Sequence, residues 1–465
     1  MTVSHEQTVT AAAKYQSRWR RLFIALWVPV VLVIASFGMS AVVTANHGPA
    51  LSPVDEWVYV DYLFKLPVQG IVHEGEKIGK EALVIMSCDG VTPYGPMGPA
   101  CGSSVADLSV FPYKGVTSAD AYTPAYFAVT RVVGDAVHTV TGINQLSSWR
   151  VTGALWLGLA SVLLHLLLRQ WRIRRPVILG LGLALIASPF AWWTYTYIST
   201  DAPSLAFGIL LLLTAVKIGR GQWSGWWLAV ISTAAVLFKV TNVLGVCLAA
   251  LYLLILWLLE RKETHWAGWK TRRPYQRNRS SLGLLFFAVL ALGASVTAQL
   301  AWLAFRSAEA VGIPVDQAIG IPLTPEELVS QVATFLPSAI VSNVNVTGST
   351  DLAYAIPGFV VAPLTWICVA GVLGAFWTLR KGSKLTPIVV SVTMAALFFA
   401  PMLAIMIHVT TGNYFPLPPR YGASIVGSFL LLAGLTIRNR WAVGILVAYS
   451  VALYAYVLVS APLLA

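Results

Sequence analysis

Long apolar runs without charged residues recur along the whole chain of 465 residues, and they constrain the fold more than any other feature. About 20 apolar residues in an α-helix are needed to cross the hydrocarbon core of a bilayer. With 57% hydrophobic and only 11% charged residues, the chain is too apolar for a water-soluble domain. The sequence therefore predicts an all-α polytopic membrane protein.

Eleven predicted spans follow from the positions of these runs. They are Leu22–Ala45, Val151–Leu168, Val177–Tyr197, Ala202–Val216, Trp226–Lys239, Asn242–Leu259, Leu282–Phe305, Gly358–Leu379, Leu385–His408, Tyr421–Ile437 and Trp441–Ser460. The stretch from 226 to 259 fits either two short helices that meet near Lys239 or one long tilted helix, and we favour two.

The net charge of +12 comes from short basic clusters between the apolar runs, not from one basic domain, which argues against a nucleic-acid partner. Because short cytoplasmic loops carry the excess of Lys and Arg, the clusters place the N-terminus in the cytoplasm and the C-terminus outside. The first apolar run is too long for a usual signal-peptide core, so we expect a retained anchor. The predicted organisation is a cytoplasmic N-terminus (1–21), a first transmembrane helix (22–45), an outside loop (46–150), helices two to seven (151–305), a second outside loop (306–357) and helices eight to eleven (358–465).

Two segments, called here loop 1 (46–150) and loop 2 (306–357), exceed the length of turns, and each is predicted to contain a surface helix. In loop 1 this is an amphipathic helix over Val54–Leu66. In loop 2 a helix is predicted to start at Thr324-Pro325-Glu326-Glu327, where a capping Thr precedes Pro and two acids. Cys88 and Cys101 in loop 1 are predicted to form a disulfide, since a metal site would need two further ligands.

Acidic residues mark the expected outer ends of several spans. Asp55 and Glu56 follow the first span in loop 1, and Asp201 precedes Pro203 at the start of the fourth. A carboxylate at the edge of a low-dielectric region can act as a base toward a hydroxyl, although helix capping explains the same residues. Asp55 and Asp201 lie at the same expected height and could line one cavity.

Two cations complete this set. Lys239 interrupts an apolar region, where a charged residue usually has a partner, and Arg420 precedes Tyr421 at the start of the tenth span. The guanidinium fork of Arg420 suits a phosphate group. The alternatives are that Lys239 extends to the membrane surface and that Arg420 anchors to lipid headgroups.

This order of features resembles the GT-C glycosyltransferases, multi-pass enzymes that use polyprenyl-phosphate-linked sugars and include actinobacterial cell-envelope enzymes. The residues that carry the resemblance are Asp55-Glu56, Thr200-Asp201-Ala202-Pro203, Phe238-Lys239-Val240-Thr241 and Pro419-Arg420-Tyr421.

The resemblance implies an inverting transfer of a sugar to a glycan, lipid or protein acceptor at the outer face of a bacterial plasma membrane. Asp55 would be the general base, with Glu56 a supporting or alternative base. Asp201 would orient acceptor or donor, or bind a divalent cation (Mg, Mn or Ca), and Lys239, Arg420 and Tyr421 would hold the donor phosphate. A transporter or flippase for a lipid-linked or small polar substrate is the alternative, since many spans and an intramembrane Lys fit it too.

Overall fold

The computed structural model describes residues 26–92, 94–265, 281–315, 320–341, 357–380, 383–412 and 414–460. The predicted cytoplasmic segment 1–21 and most of the basic stretch 261–279 lie outside the described residues. The described part consists of helices joined by loops, turns and isolated bridges. The helices are α1 (Leu26–Asn46), α2 (Glu56–Gln69), α3 (Lys80–Cys88), α4 (Pro124–Thr141), α5 (Gln145–Arg169), α6 (Arg175–Ile186), α7 (Pro189–Tyr195), α8 (Ala202–Gly219), α9 (Trp226–Phe238), α10 (Val243–His265), α11 (Ser281–Ala308), α12 (Pro325–Ser338), α13 (Gly358–Trp377), α14 (Thr386–Thr411), α15 (Ala423–Thr436) and α16 (Arg440–Ser460).

Eight helices of the described residues are long and apolar enough to cross a membrane, and a bent pair makes a ninth. Several long apolar helices indicate a membrane protein, as the composition predicts. Two of the predicted spans are represented by the shorter helices α9 and α15, with 13 and 14 residues. The count of eleven spans therefore stays a prediction.

The predicted span Val177–Tyr197 is broken in two. α6 and α7 meet at an angle of 58°. The Ser188 hydroxyl accepts a hydrogen bond from Ala191 N at 3.2 Å and so caps α7, and Pro189 occupies its first turn. A helix cap and a proline at the first position start a new helix, which is why the apolar run does not continue as one.

The chain also breaks at Lys239, as predicted. Lys239 is extended, with φ −160° and ψ 129°, between the end of α9 and a 3₁₀ turn at Val240–Asn242. Gly208 early in α8 packs against Gly245 early in α10, and Gly219 at the end of α8 packs against Leu256 late in α10. α8 and α10 therefore run the same way, and α9 returns between them.

Close backbone packing brings distant helices together beside this break. A Cβ added to Gly208 on α8 would lie 1.7 Å from the carbonyl oxygen of Ser424 on α15. A Cβ at Gly153 on α5 would lie 2.1 Å from the carbonyl oxygen of Tyr195 on α7. Only glycine permits such close contacts, because any Cβ would clash with the facing backbone. These close approaches lie near the loops that carry the candidate site residues.

Loop 1 folds onto the end of the bundle through α2, α3 and α4. The predicted helix near 54–66 is present as α2, but its residues from Val58 to Leu63 are all buried, so α2 is a core element of the loop. Directly before α4, the Thr123 hydroxyl donates a hydrogen bond to the carbonyl oxygen of Leu237 in the last turn of α9. Loop 1 therefore covers the point where α9 ends.

Loop 2 is tied to the same region, and α12 begins where the sequence predicts. The Thr324 side chain accepts a hydrogen bond from Glu327 N at 3.2 Å. Phe335 of α12 packs on Gly422, just after Arg420. Arg306, at the end of α11, forms an ion pair with Asp120 of loop 1.

The predicted disulfide between Cys88 and Cys101 is present and closes a loop of Gly- and Pro-rich sequence. Closing a loop of this length removes unfolded-state freedom equivalent to about 3 kcal/mol. We expect the double variant Cys88→Ser/Cys101→Ser to unfold at a lower temperature and to be cleaved faster by protease within this loop. Cys247→Ser, which changes a free cysteine, is the control; equal behaviour of the two variants would contradict the prediction.

Candidate functional site

Four segments distant in sequence meet at one cluster of two carboxylates and two cations. Lys239 Nζ lies 2.6 Å from Asp201 Oδ1, Arg420 Nε lies 3.4 Å from Asp201 Oδ2, and Arg420 Nη2 lies 3.6 Å from Asp55 Oδ2. Lys239 and Asp201 are buried, with side-chain exposures of 3% and 2%, whereas Asp55 keeps 32% and Arg420 21%. An arriving molecule therefore meets Asp55 and Arg420 first.

Asp55 does not act as a helix cap. It occupies the position before α2 with φ 58° and ψ 10°, the left-handed region, and its side chain makes no capping hydrogen bond. A residue other than glycine in this region is uncommon, and Asp and Asn tolerate it best. The backbone conformation leaves the carboxylate free to face Arg420.

Asp201 likewise precedes a helix without capping it. Its two oxygen atoms divide between the two cations, one toward Lys239 and the other toward Arg420. The residue is therefore an anionic bridge that holds two positive groups side by side. The capping alternative for Asp55 and Asp201 is not what the geometry shows.

Glu56 faces away from the cluster and is fully buried in a different set of contacts. Arg150 Nε and Nη2 donate to its two oxygen atoms at 2.9 and 2.8 Å. Ser52 N and Ile198 N donate to the same oxygen atoms at 2.6 and 2.9 Å. Four donors saturate the carboxylate, so Glu56 joins the segment before α2 to the segment before Asp201.

A chain of hydroxyl groups runs beside the ion pairs. Lys239 Nζ donates to Thr200 Oγ1, Thr200 Oγ1 to Tyr59 Oη, and Tyr59 Oη to Tyr122 Oη, each at 3.2 Å. Tyr59 lies one helical turn after Asp55 on α2. The chain fixes the ammonium group and supplies neutral donors and acceptors next to the charged ones.

Aromatic rings surround the two cations. Lys239 Nζ lies 5.8 Å from the ring centre of Tyr122 and 5.9 Å from that of Tyr421, and the Arg420 guanidinium lies 5.8 Å from the Tyr421 ring. These distances suit cation–π attraction. Tyr421 therefore lies beside both cations.

Burial raises the pKa of Asp55 above its ordinary value of 3.8, and the charges of Arg420 and Lys239 oppose this rise. If the chain performs the sugar transfer that the resemblance implies and Asp55 accepts the proton, we expect the rate of transfer to fall on the acid side of a pKa above 3.8, because only the carboxylate is a base. The rate against pH of the wild-type protein measures this. An acid limb that stays below 3.8 would contradict it.

The same raised pKa has the opposite effect on stability. A carboxyl group whose pKa is higher in the folded state binds its proton more tightly there. The stability of the folded protein therefore decreases as the pH rises through that folded-state pKa. The thermal unfolding temperature should therefore decline over the pH window in which the rate increases. The Asp55→Asn variant should lose this component of the pH dependence of stability.

Metal ligation does not fit the cluster. The Lys239 ammonium pairs with Asp201 Oδ1, and Arg420 faces Asp201 Oδ2 and Asp55 Oδ2. Within the part of the chain that the structure describes, no three His, Cys, Asp or Glu side chains gather as a metal group would require. A divalent cation would have to displace two basic side chains.

Every candidate from the sequence has a defined place. Asp55, Asp201, Lys239, Arg420 and Tyr421 meet, while Glu56 lies beside the cluster. Sequence reasoning missed the partners of these residues. The spacing of four residues between Asp55 and Tyr59 could have predicted that Tyr59 lies beside the cluster. The position of Thr200 next to Asp201 could have predicted the same for Thr200. Tyr122 and Arg150 lie far from Asp55 and Glu56 in the sequence, and no sequence pattern predicted their contacts with the site.

No protein-family model matches the chain, and no curated protein is similar to it in sequence.

Proposed function

We propose that the chain is a membrane glycosyltransferase that moves a sugar from a polyprenyl-phosphate donor to a hydroxyl of a cell-envelope glycan, lipid or protein, at the extracytoplasmic face of a bacterial plasma membrane. The observation that carries the proposal is the cluster of Asp55, Asp201, Lys239 and Arg420. Its one partly exposed carboxylate stands beside a partly exposed guanidinium, which pairs a base with a phosphate-binding group.

In the proposed reaction the acceptor hydroxyl attacks the anomeric carbon of the donor from the side opposite the phosphate. The new bond joins the acceptor oxygen to that carbon, and the bond from the carbon to the phosphate oxygen breaks, its electron pair leaving with the phosphate. Asp55 takes the hydroxyl proton. Attack from the opposite side inverts the configuration of the sugar.

Arg420 and Lys239 stabilise the charge that grows on the leaving phosphate. The guanidinium still has N–H groups that face neither carboxylate, and the ammonium has a third N–H besides those given to Asp201 and Thr200. Fixed cations in a site with little water act strongly on developing charge. We assign to Asp201 the task of holding both cations in place, and to Glu56 the support of Asp55.

The test is transfer by the purified full-length protein from a panel of synthetic polyprenyl-phosphate sugars, with nucleotide sugars and polyprenyl-diphosphate sugars as comparison donors. We expect a product only from the phosphate diesters, with the anomeric configuration inverted. Movement of the intact donor across vesicle membranes without a new glycosidic bond would favour the transporter alternative and overturn the proposal.

A further inference from the structure

The end of the bundle opposite the Asp55 cluster carries basic residues that have no described carboxylate partner. α5 runs for 25 residues from loop 1 to this end. Basic residues there include Arg169, Arg172, Arg174, Arg175, Lys217, Arg220, Arg438 and Arg440. None of these residues forms an ion pair with a carboxylate among the described residues.

Several of these side chains are satisfied by neutral oxygen atoms. Arg169 Nη1 donates to the carbonyl oxygen of Ile173 at 3.1 Å, and Arg174 Nη1 to that of Arg438 at 3.2 Å. Arg220 donates to the side chain and main chain of Gln170. These bonds fix the arginines around the turn between α5 and α6 without neutralising them.

Two buried nitrogen atoms at this turn have no hydrogen-bond partner in the described structure. They are Nδ1 of His165, a residue that is 6% exposed, and Nε of Arg175. His165 lies one turn before Arg169 on α5 and interacts electrostatically with both Arg169 and Arg175. A buried polar atom without a partner is unfavourable by about 1–3 kcal/mol. The bias of Lys and Arg toward one membrane face explains exposed charge, but not buried nitrogen atoms without a partner.

The start of α6 adds to the same corner. Its capping residue, Arg174, makes no side-chain capping bond, and Pro176 stands in the first turn. A helix N-terminus of this kind attracts anions through its free N–H groups and its dipole. Guanidinium groups match the geometry of phosphate oxygen atoms.

We propose that His165, Arg169, Arg175 and the first turn of α6 form a site for a phosphate group, supplied in the membrane by the headgroup of an anionic lipid. The ring and guanidinium nitrogen atoms that lack partners would donate to the phosphate oxygen atoms. The site is independent of the sugar-transfer reaction proposed above.

The experiment uses the full-length protein in phosphatidylcholine nanodiscs with and without phosphatidic acid, and reads out thermal unfolding and the lipid retained in native mass spectrometry. We expect phosphatidic acid to raise the unfolding temperature and to remain bound. Arg175→Gln should weaken the affinity for phosphatidic acid by about tenfold, as expected for the loss of a charged hydrogen bond. Arg440→Gln removes one charge from the same end and should change little.

Two further arms separate the sources of phosphate and guard against misfolding. Inorganic phosphate is added to lipid-free micelles; stabilisation that depends on Arg175 would support the site with a soluble anion as its ligand. Arg175→Lys keeps the charge but not the fork, and a folded variant with weakened binding supports a shaped site. The proposal would be overturned if Arg175→Gln and Arg440→Gln lost phosphatidic acid binding equally, or if the wild type retained no lipid.

Discussion

Replacing Asp55 with Asn should lower kcat for the proposed sugar transfer by about two to four orders of magnitude, the usual contribution of a positioned general base, with little change in KM. The amide keeps the size of the carboxylate but accepts no proton. Asn also tolerates the left-handed backbone at this position, φ 58°, so the substitution tests chemistry and not folding. Ala would not separate chemistry from folding, because Ala is strained in this left-handed backbone conformation.

The matched control is Asp107→Asn, the same chemical change on an exposed residue of loop 1 that caps a short turn through Ser109. It should leave kcat unchanged. The pH profile gives a second reading, since the residual rate of Asp55→Asn should lack the acid limb. Wild-type turnover by Asp55→Asn would remove Asp55 from its proposed role.

The second large effect is expected at the buried pair of Glu56 and Arg150. Changing Glu56 to Gln leaves the shape intact but turns an amide NH₂ toward donors that now lack an acceptor, and the Arg150 charge loses its counter-ion. Breaking a buried ion pair from one side is unfavourable by about 3–5 kcal/mol. We expect Glu56→Gln to unfold at a much lower temperature than the wild type, measured by intrinsic fluorescence in detergent.

Two variants test this reading of Glu56. Glu81→Gln makes the same change at an exposed position of α3 and should alter stability by no more than about 0.5 kcal/mol. Glu56→Gln/Arg150→Gln removes both charges and should recover part of the loss, because neither partner is left as an unpaired ion. If Glu56→Gln is as stable as Glu81→Gln, the pair does not hold loop 1 on the bundle.

The sequence predicted where chemistry gathers better than it predicted how each carboxylate is used. Asp55 and Asp201 read equally well as helix caps, because capping and catalysis select the same residue type before a helix. The direction of each side chain distinguishes the two roles. For Asp55 this direction depends on a left-handed backbone, and for Asp201 it depends on cations more than 35 residues away in the sequence.

Glu56 shows a second limit. It looked like an alternative base because it stands next to Asp55, but its partner Arg150 is 94 residues further along the chain. Local patterns do predict local features: the cap at Thr324, the break at Lys239 and the disulfide all follow from neighbouring residues. The bend between α6 and α7 had a local signal as well, in Ser188-Pro189, but the apolar run around it gave no reason to end the helix.

The shortness of α9 has a consequence for the lipid around it. Exposed Trp226 and Trp227 mark its start as a membrane-interface position. Thirteen residues span about 20 Å, against about 30 Å for a hydrocarbon core. The ammonium group of Lys239 would then stand well below the opposite headgroup plane. Local bilayer thickness would decide how deep the headgroup of an amphiphile must lie to reach this ammonium group.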